Sequence, residues 1–111
     1  MKRKILIVED NVGLSQIQKD WLSQAGYEAV TAMNEPIARS LIRKTQFDLI
    51  LSDVRLPEGD GISLLEWLRK EKKDIPFIIT TEYVSVPDVV RTIKLGARDY
   101  LPKPVPVSYT H

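Results

Sequence analysis

The 111 residues are of a size for one compact domain, and 43% of them are apolar, enough to build a single core. Sixteen basic against fifteen acidic residues leave a net charge of +1, which gives no electrostatic case for nucleic acid. Cysteine is absent, which excludes a disulfide framework and accords with a cytosolic setting. The basic start Lys2-Arg3-Lys4 precedes an apolar run of only four residues, Ile5 to Val8, closed by Glu9 and Asp10. A secretory signal or a membrane span needs a longer run, so the expectation is a cytoplasmic, soluble protein with no membrane contact.

Ile5-Leu6-Ile7-Val8 is continuous and largely β-branched, the pattern of a strand covered on both faces. After Asn11, residues Leu14, Ile17, Trp21, Leu22 and Ala25 recur at helical spacing, with Trp21 expected in the core, and Gly26 ends the helix. Tyr27 to Thr31 reads as a second strand. Asn34 is suited to cap a second helix, with Pro36 in its first turn and Ile37, Ala38, Leu41 and Ile42 on its buried face. Phe47 to Ser52 is a third strand, and Gly61 to Lys72 a third helix carrying Ile62, Leu65 and Leu68 in register. Phe77 to Thr80 is a fourth strand. Val86, Val89, Val90 and Ile93 form a fourth helical stripe ended by Gly96, and Tyr100-Leu101 opens a short fifth strand.

This alternation implies right-handed crossovers and a parallel, doubly wound α/β sheet. Residues 105–111 contain Pro106 and show no helical period, so a fifth helix over the last strand is expected to be missing. The chain is accordingly divided into a domain over 1–104 and an irregular tail over 105–111, truncated or non-native.

In open α/β sheets ligands bind at the carboxyl ends of the strands, near the switch in strand order. The residues expected there are Glu9 and Asp10 after the first strand, Asp53 after the third, Thr80 and Thr81 after the fourth, and Lys103 after the fifth. Two carboxylates about 4 Å apart repel by roughly 4 kcal/mol at an effective dielectric of about 20, so three of them call for a cation. Oxygen-only ligands suit Mg2+. Beside such an ion an aspartate oxygen can attack phosphorus, with Lys103 offsetting the remaining phosphoryl charge.

The ordered set Glu9-Asp10, Asp53-x-x-x-Pro57 with Asp60-Gly61, Thr81 and Lys103-Pro104 resembles the receiver domain of two-component response regulators. The likeness runs from about residue 4 to 104, and Gly96-Ala97 and Tyr100 also sit where that family places them. The resemblance implies a flavodoxin-like, five-stranded sheet in the order 2-1-3-4-5, which sets the first and third strands side by side. It implies that Asp53 accepts a phosphoryl group from a sensor histidine kinase. Asp10 and Asp53 would ligate Mg2+ with the main-chain carbonyl of Arg55, and Glu9 would hold the ion through water. Lys103 would bind a phosphoryl oxygen, the Lys103-Pro104 bond being cis. Thr81 would move toward the phosphoryl group and Tyr100 would turn inward, a bacterial phosphorelay switch controlling an output, transcription. The segment from Lys94 to Pro104 looks most like regulators with an ATPase and a DNA-binding domain downstream.

Two departures shape further expectations. Glu82 stands where a small residue is frequent, and the bulky Tyr83 that follows it would, with Arg55, shield the acyl phosphate and slow its hydrolysis. A missing fifth helix would expose apolar surface and favour homodimers or other self-association. Three alternatives stay open. One is a pseudo-receiver, an interaction scaffold independent of phosphorylation. Another is a Mg2+ phosphohydrolase with an aspartyl nucleophile, although Arg55 occupies the place of its second acid. The third is a flavodoxin-like nucleotide or flavin module, although Glu9-Asp10 would repel its phosphate. Pro57 and Gly61 are expected to shape the loop only, and His111, the single histidine, is too close to the end to act as a ligand.

Overall fold

The computed structural model describes residues 3–81 and 94–102, the last four as backbone. Five strands form one parallel sheet: β1 (Lys4–Val8), β2 (Glu28–Ala32), β3 (Leu49–Asp53), β4 (Phe77–Thr81) and β5 (Asp99–Pro102). Their order is β2-β1-β3-β4-β5. Three helices lie between the first four strands: α1 (Val12–Gln24), α2 (Glu35–Lys44) and α3 (Gly61–Lys70). The expected fourth helix and the tail over 105–111 lie outside the described residues.

The strand order reverses after β2. Right-handed crossovers therefore send α1 to one face and α2 and α3 to the other. Registers Leu6↔Ile50, Ile50↔Phe77 and Ser52↔Ile79 align the inner residues of the second face. There Leu6, Val8, Ile50, Phe77 and Ile79 pack with Ala38 and Ile42 of α2 and Leu64, Leu65 and Leu68 of α3 in one dry cluster. The opposite face carries Ile5, Ile7 and Ala29, buried beneath α1, which lies over β1 and β2.

Several boundaries moved for identifiable reasons. Tyr27 is not in β2, because its N–H donates to the carbonyl of Leu22 at 2.9 Å and closes α1 behind Gly26, whose φ is +95°. Phe47 is buried but precedes β3. The next residue, Asp48, exchanges bonds with Lys4, donating its N–H to the Lys4 carbonyl and accepting the Lys4 N–H on Oδ2, each at 2.8 Å. Helix α3 stops at Lys70, because Lys72 adopts a left-handed φ of 57° and Lys73 N–H donates back to Leu68.

The buried side of α1 is the main correction. Ser15 and Gln18 face inward, while Trp21 is 55% exposed and Ile17 is exposed as well. Helical spacing identified an apolar stripe but not the direction in which it points. In α2, Asn34 caps the helix as expected, its Oδ1 accepting the Ile37 N–H at 2.9 Å. Ala38 and Ile42 are buried, Ile37 is exposed, and the polar residue that joins the buried side is Glu35.

Candidate phosphoacceptor site

The ends of β1 and β3 are neighbours, since Val8, the last residue of β1, stands opposite Ser52, the last but one of β3. The following residues, Glu9 and Asp53, are therefore delivered to one edge of the sheet. Glu9 remains tied to the sheet through its N–H, which donates to the Ala32 carbonyl at 2.9 Å. Its Oε2 accepts the Asn11 N–H at 3.0 Å. Asn11 in turn caps α1 by accepting the Leu14 N–H on Oδ1 at 3.0 Å. The cap that starts α1 thus also fixes the turn holding Glu9 and Asp10.

Asp53 is 5% exposed and ends β3. It lies opposite Thr80 in the ladder with β4. Its Oδ1 accepts the N–H of Arg55 at 3.1 Å. Beneath it, Ser52 Oγ donates to the Asp53 carbonyl at 2.9 Å, and Thr80 Oγ1 donates to the Ser52 carbonyl at 3.3 Å. These two bonds hold the end of β3 through its main-chain carbonyls.

Carboxylate oxygens of Glu9, Asp10 and Asp53 lie within 4.8 Å of one another, with Glu9 and Asp53 buried and Asp10 exposed. Three hard oxygen donors on one side suit a small divalent cation and leave its remaining positions to water or phosphate oxygens. The donor set fits Mg2+ and lacks the nitrogen or sulfur ligands that zinc prefers.

Thr81 closes β4, is buried, and pairs in register with Pro102 of β5. Tyr100 lies in β5 opposite Ile79. Lys103, the residue after Pro102, falls outside the described residues, as do Glu82, Tyr83 and the Lys103-Pro104 bond. Arg55 is exposed and its main chain bridges to Asp60.

Two contributors were not picked out as site residues. Ser52 reads as an ordinary strand residue, yet it is fully buried under the Asp53 carbonyl. Glu35 reads as a favourable acid in a helical first turn. In the structure it is buried and accepts the N–H of Asp60 at 3.0 Å, at the far end of the loop that follows Asp53. Only its adjacency to the cap Asn34 hinted at a fixed position.

Comparison with known proteins points the same way. The family model described as the response regulator receiver domain matches residues 5–109. The chain is 39% identical over 103 residues to a probable transcriptional regulator, ycf27, of Cyanophora paradoxa, covering 93% of this chain and 43% of that protein. It is 33% identical over 104 residues to the response regulator protein PilR of Pseudomonas aeruginosa, covering 94% of this chain and 23% of that one. It therefore spans less than half the length of these two relatives. Among solved structures, the non-phosphorylated HemR receiver domain from Leptospira biflexa superposes with a TM-score of 0.87 at 37% identity, covering 96% of this chain and 86% of that one. A CheY-like response regulator receiver domain protein from Methanospirillum hungatei gives 0.89 at 32% identity, covering 96% and 85%.

Proposed function

The chain belongs to the response regulator receiver domain family, and from that premise we propose that Asp53 accepts a phosphoryl group from the phosphohistidine of a sensor histidine kinase in a Mg2+-dependent reaction. As a receiver domain it is a signalling module of a two-component system rather than a classical enzyme. The observation that carries the proposal is the convergence of Glu9, Asp10 and Asp53 within 4.8 Å at the switch point of the sheet.

Asp10 and Asp53 would hold the ion together with the Arg55 carbonyl, and Glu9 would hold it through water. When bound, Mg2+ supplies the positive charge that lets a dianionic donor approach an acidic cluster. An Asp53 carboxylate oxygen then forms the new P–O bond as the donor P–N bond breaks. The departing imidazole nitrogen keeps that electron pair. The bond from Arg55 N–H keeps one oxygen of Asp53 directed, which orients the other for in-line attack. Lys103 would receive a phosphoryl oxygen, and its neighbour Pro102 is brought beside the buried Thr81 by the β4–β5 register. Thr81 would shift toward the new dianion and Tyr100 would turn inward, passing the change to a downstream output that regulates transcription.

Binding of an unrelated anion in place of chemistry is disfavoured by the three carboxylates. A phosphohydrolase would want an acid two residues after the nucleophile, where Arg55 instead donates its main-chain N–H to Asp53. The near-neutral net charge is consistent with a domain that leaves nucleic-acid contact to other parts of a regulator. A cytoplasmic setting and self-association through exposed apolar surface belong to the same proposal.

Beryllofluoride, a tetrahedral phosphoryl mimic, tests the reading. With Mg2+ present, fluorine NMR should give bound resonances with the parent and none with Asp53→Asn. Bound resonances in both would remove Asp53 from the role of acceptor.

A further inference from the structure

Glu35 begins α2, and its side chain is only 5% exposed. A carboxylate so placed needs compensating partners. Its Oε1 accepts the N–H of Asp60 at 3.0 Å, and its Oε2 pairs with Arg39 one turn along the helix. Its own N–H donates to the Glu58 carbonyl at 3.3 Å. Between these two attachments lies Gly59, with φ +79°, where a Cβ would come within 2.8 Å of Glu35 Cβ and would overlap Oε1. Three consecutive residues at the end of the β3–α3 loop are thus fitted against one residue of α2.

The fastening is stiff. The guanidinium of Arg39 lies 5.2 Å from the ring centre of Trp67 in α3, and Arg43 lies at the same distance. The Nε of Arg39 is buried and makes no hydrogen bond among the described residues, so Glu35 and Trp67 are what offset its loss of water. With Glu35 swung away, Arg39 would keep only the Trp67 ring and the water reached by its one-third exposed side chain.

The other end of the loop leads to the acceptor. Asp60, held by Glu35, bridges to Arg55 across the loop, and Gly61 N–H donates to the Val54 carbonyl at 2.8 Å. Arg55 N–H reaches Asp53 Oδ1 at 3.1 Å. A continuous series of contacts therefore joins the Glu35 carboxylate to the Asp53 carboxylate through the main chain of Asp60 and Arg55.

We propose that Glu35 is a positioning residue for the acidic site: its carboxylate fixes the β3–α3 loop and so holds Arg55 in place beside Asp53. The inference rests on reading that site as a Mg2+-dependent acceptor. What matters is the reach of an acceptor oxygen to Asp60, not the negative charge as such.

Three variants of the full chain separate those two contributions. Glu35→Gln keeps an oxygen within reach of Asp60. Glu35→Asp keeps the charge beside Arg39 but is one methylene short, and it carries the test should Glu35→Ala fail to fold. Amide exchange at Arg55 and Asp60 is measured without metal, and Mg2+ affinity by calorimetric titration. The expected result for Asp and Ala is exchange about tenfold faster at both amides. Their dissociation constant for Mg2+ should rise about threefold to tenfold, while Gln stays near the parent. The inference is overturned if Asp matches the parent and Gln does not, or if no variant changes exchange or affinity. A parent that binds no Mg2+ removes the acceptor reading and this role with it. A parent that binds Mg2+ with unaffected variants removes only the role of Glu35.

Discussion

Gly61 lies directly against the main-chain carbonyl of Asp53, with no room for a Cβ, which would overlap that oxygen and stand 3.0 Å from Ser52 Oγ. The backbone of α3 therefore starts as close to the acceptor strand as atoms permit. Alanine at this position gains about 1 kcal/mol of helix propensity. It also forces the strand end and the helix apart, a cost of about 1–3 kcal/mol. The steric cost wins because the atoms that must yield are backbone. Gly61→Ala should lower stability in urea titrations and slow phosphorylation of Asp53 markedly; a more stable protein that accepts phosphate at the parent rate would contradict this packing.

Removing charge from the acidic cluster should reveal its repulsion. Asp10→Asn should leave the protein as stable as the parent or more so without metal. Mg2+ at about one hundred times its dissociation constant should stabilise the parent by about 2.7 kcal/mol. The variant should gain far less at the same concentration. Thermal melts with and without Mg2+ decide this, and equal gains would show that the ion binds elsewhere.

Two apolar residues that look alike in sequence should differ sharply on substitution. Trp21 is 55% exposed on α1, whereas Leu68 of α3 is fully buried in the cluster. Trp21→Ser should cost no more than about 0.5 kcal/mol. Leu68→Ala should cost about 2–5 kcal/mol through lost burial and the cavity left behind. Chemical denaturation of both variants gives the comparison, and equal losses would mean that α1 faces inward.

These residues also mark where sequence reasoning holds and where it stops. Ile5 to Val8 and Phe77 to Ile79 are apolar on both faces, so their place inside a parallel sheet was legible without coordinates. The cap Asn34 was equally clear, because a side-chain oxygen before a helical run has one favourable use there. The convergence of Glu9, Asp10 and Asp53 followed from strand ends together with the strand order that the family resemblance implies. The orientation of α1 did not follow, because Ser15 and Gln18 lie on its buried side and break the apolar pattern that would mark it. Glu35 was missed for a related reason: its partners at Glu58, Gly59 and Asp60 lie more than twenty residues away.

Arg69 ties three segments together. Its Nε donates to the Leu95 carbonyl at 3.0 Å, one terminal nitrogen to the Lys73 carbonyl at 2.9 Å and the other to the Gly96 carbonyl at 3.2 Å. A lysine offers a single ammonium on a flexible stem and cannot span all three. Arg69→Lys should therefore cost about 1–2 kcal/mol, less than three isolated charged bonds would suggest because the group is partly solvated. Loss of stability should be accompanied by weaker amide protection at Arg98, whose N–H donates to the Phe77 carbonyl at 2.8 Å. Unchanged melting would show that the three bonds do not persist in solution.

Phosphorylation of Asp53 is read out by intact mass after incubation with Mg2+ and acetyl phosphate, with Asp53→Asn and a chelator control alongside. The parent should gain one phosphoryl group, and the variant and the chelated parent should gain none. A folded parent that gains no mass, or a gain that persists in Asp53→Asn, would contradict the assignment of Asp53 as the phosphoacceptor.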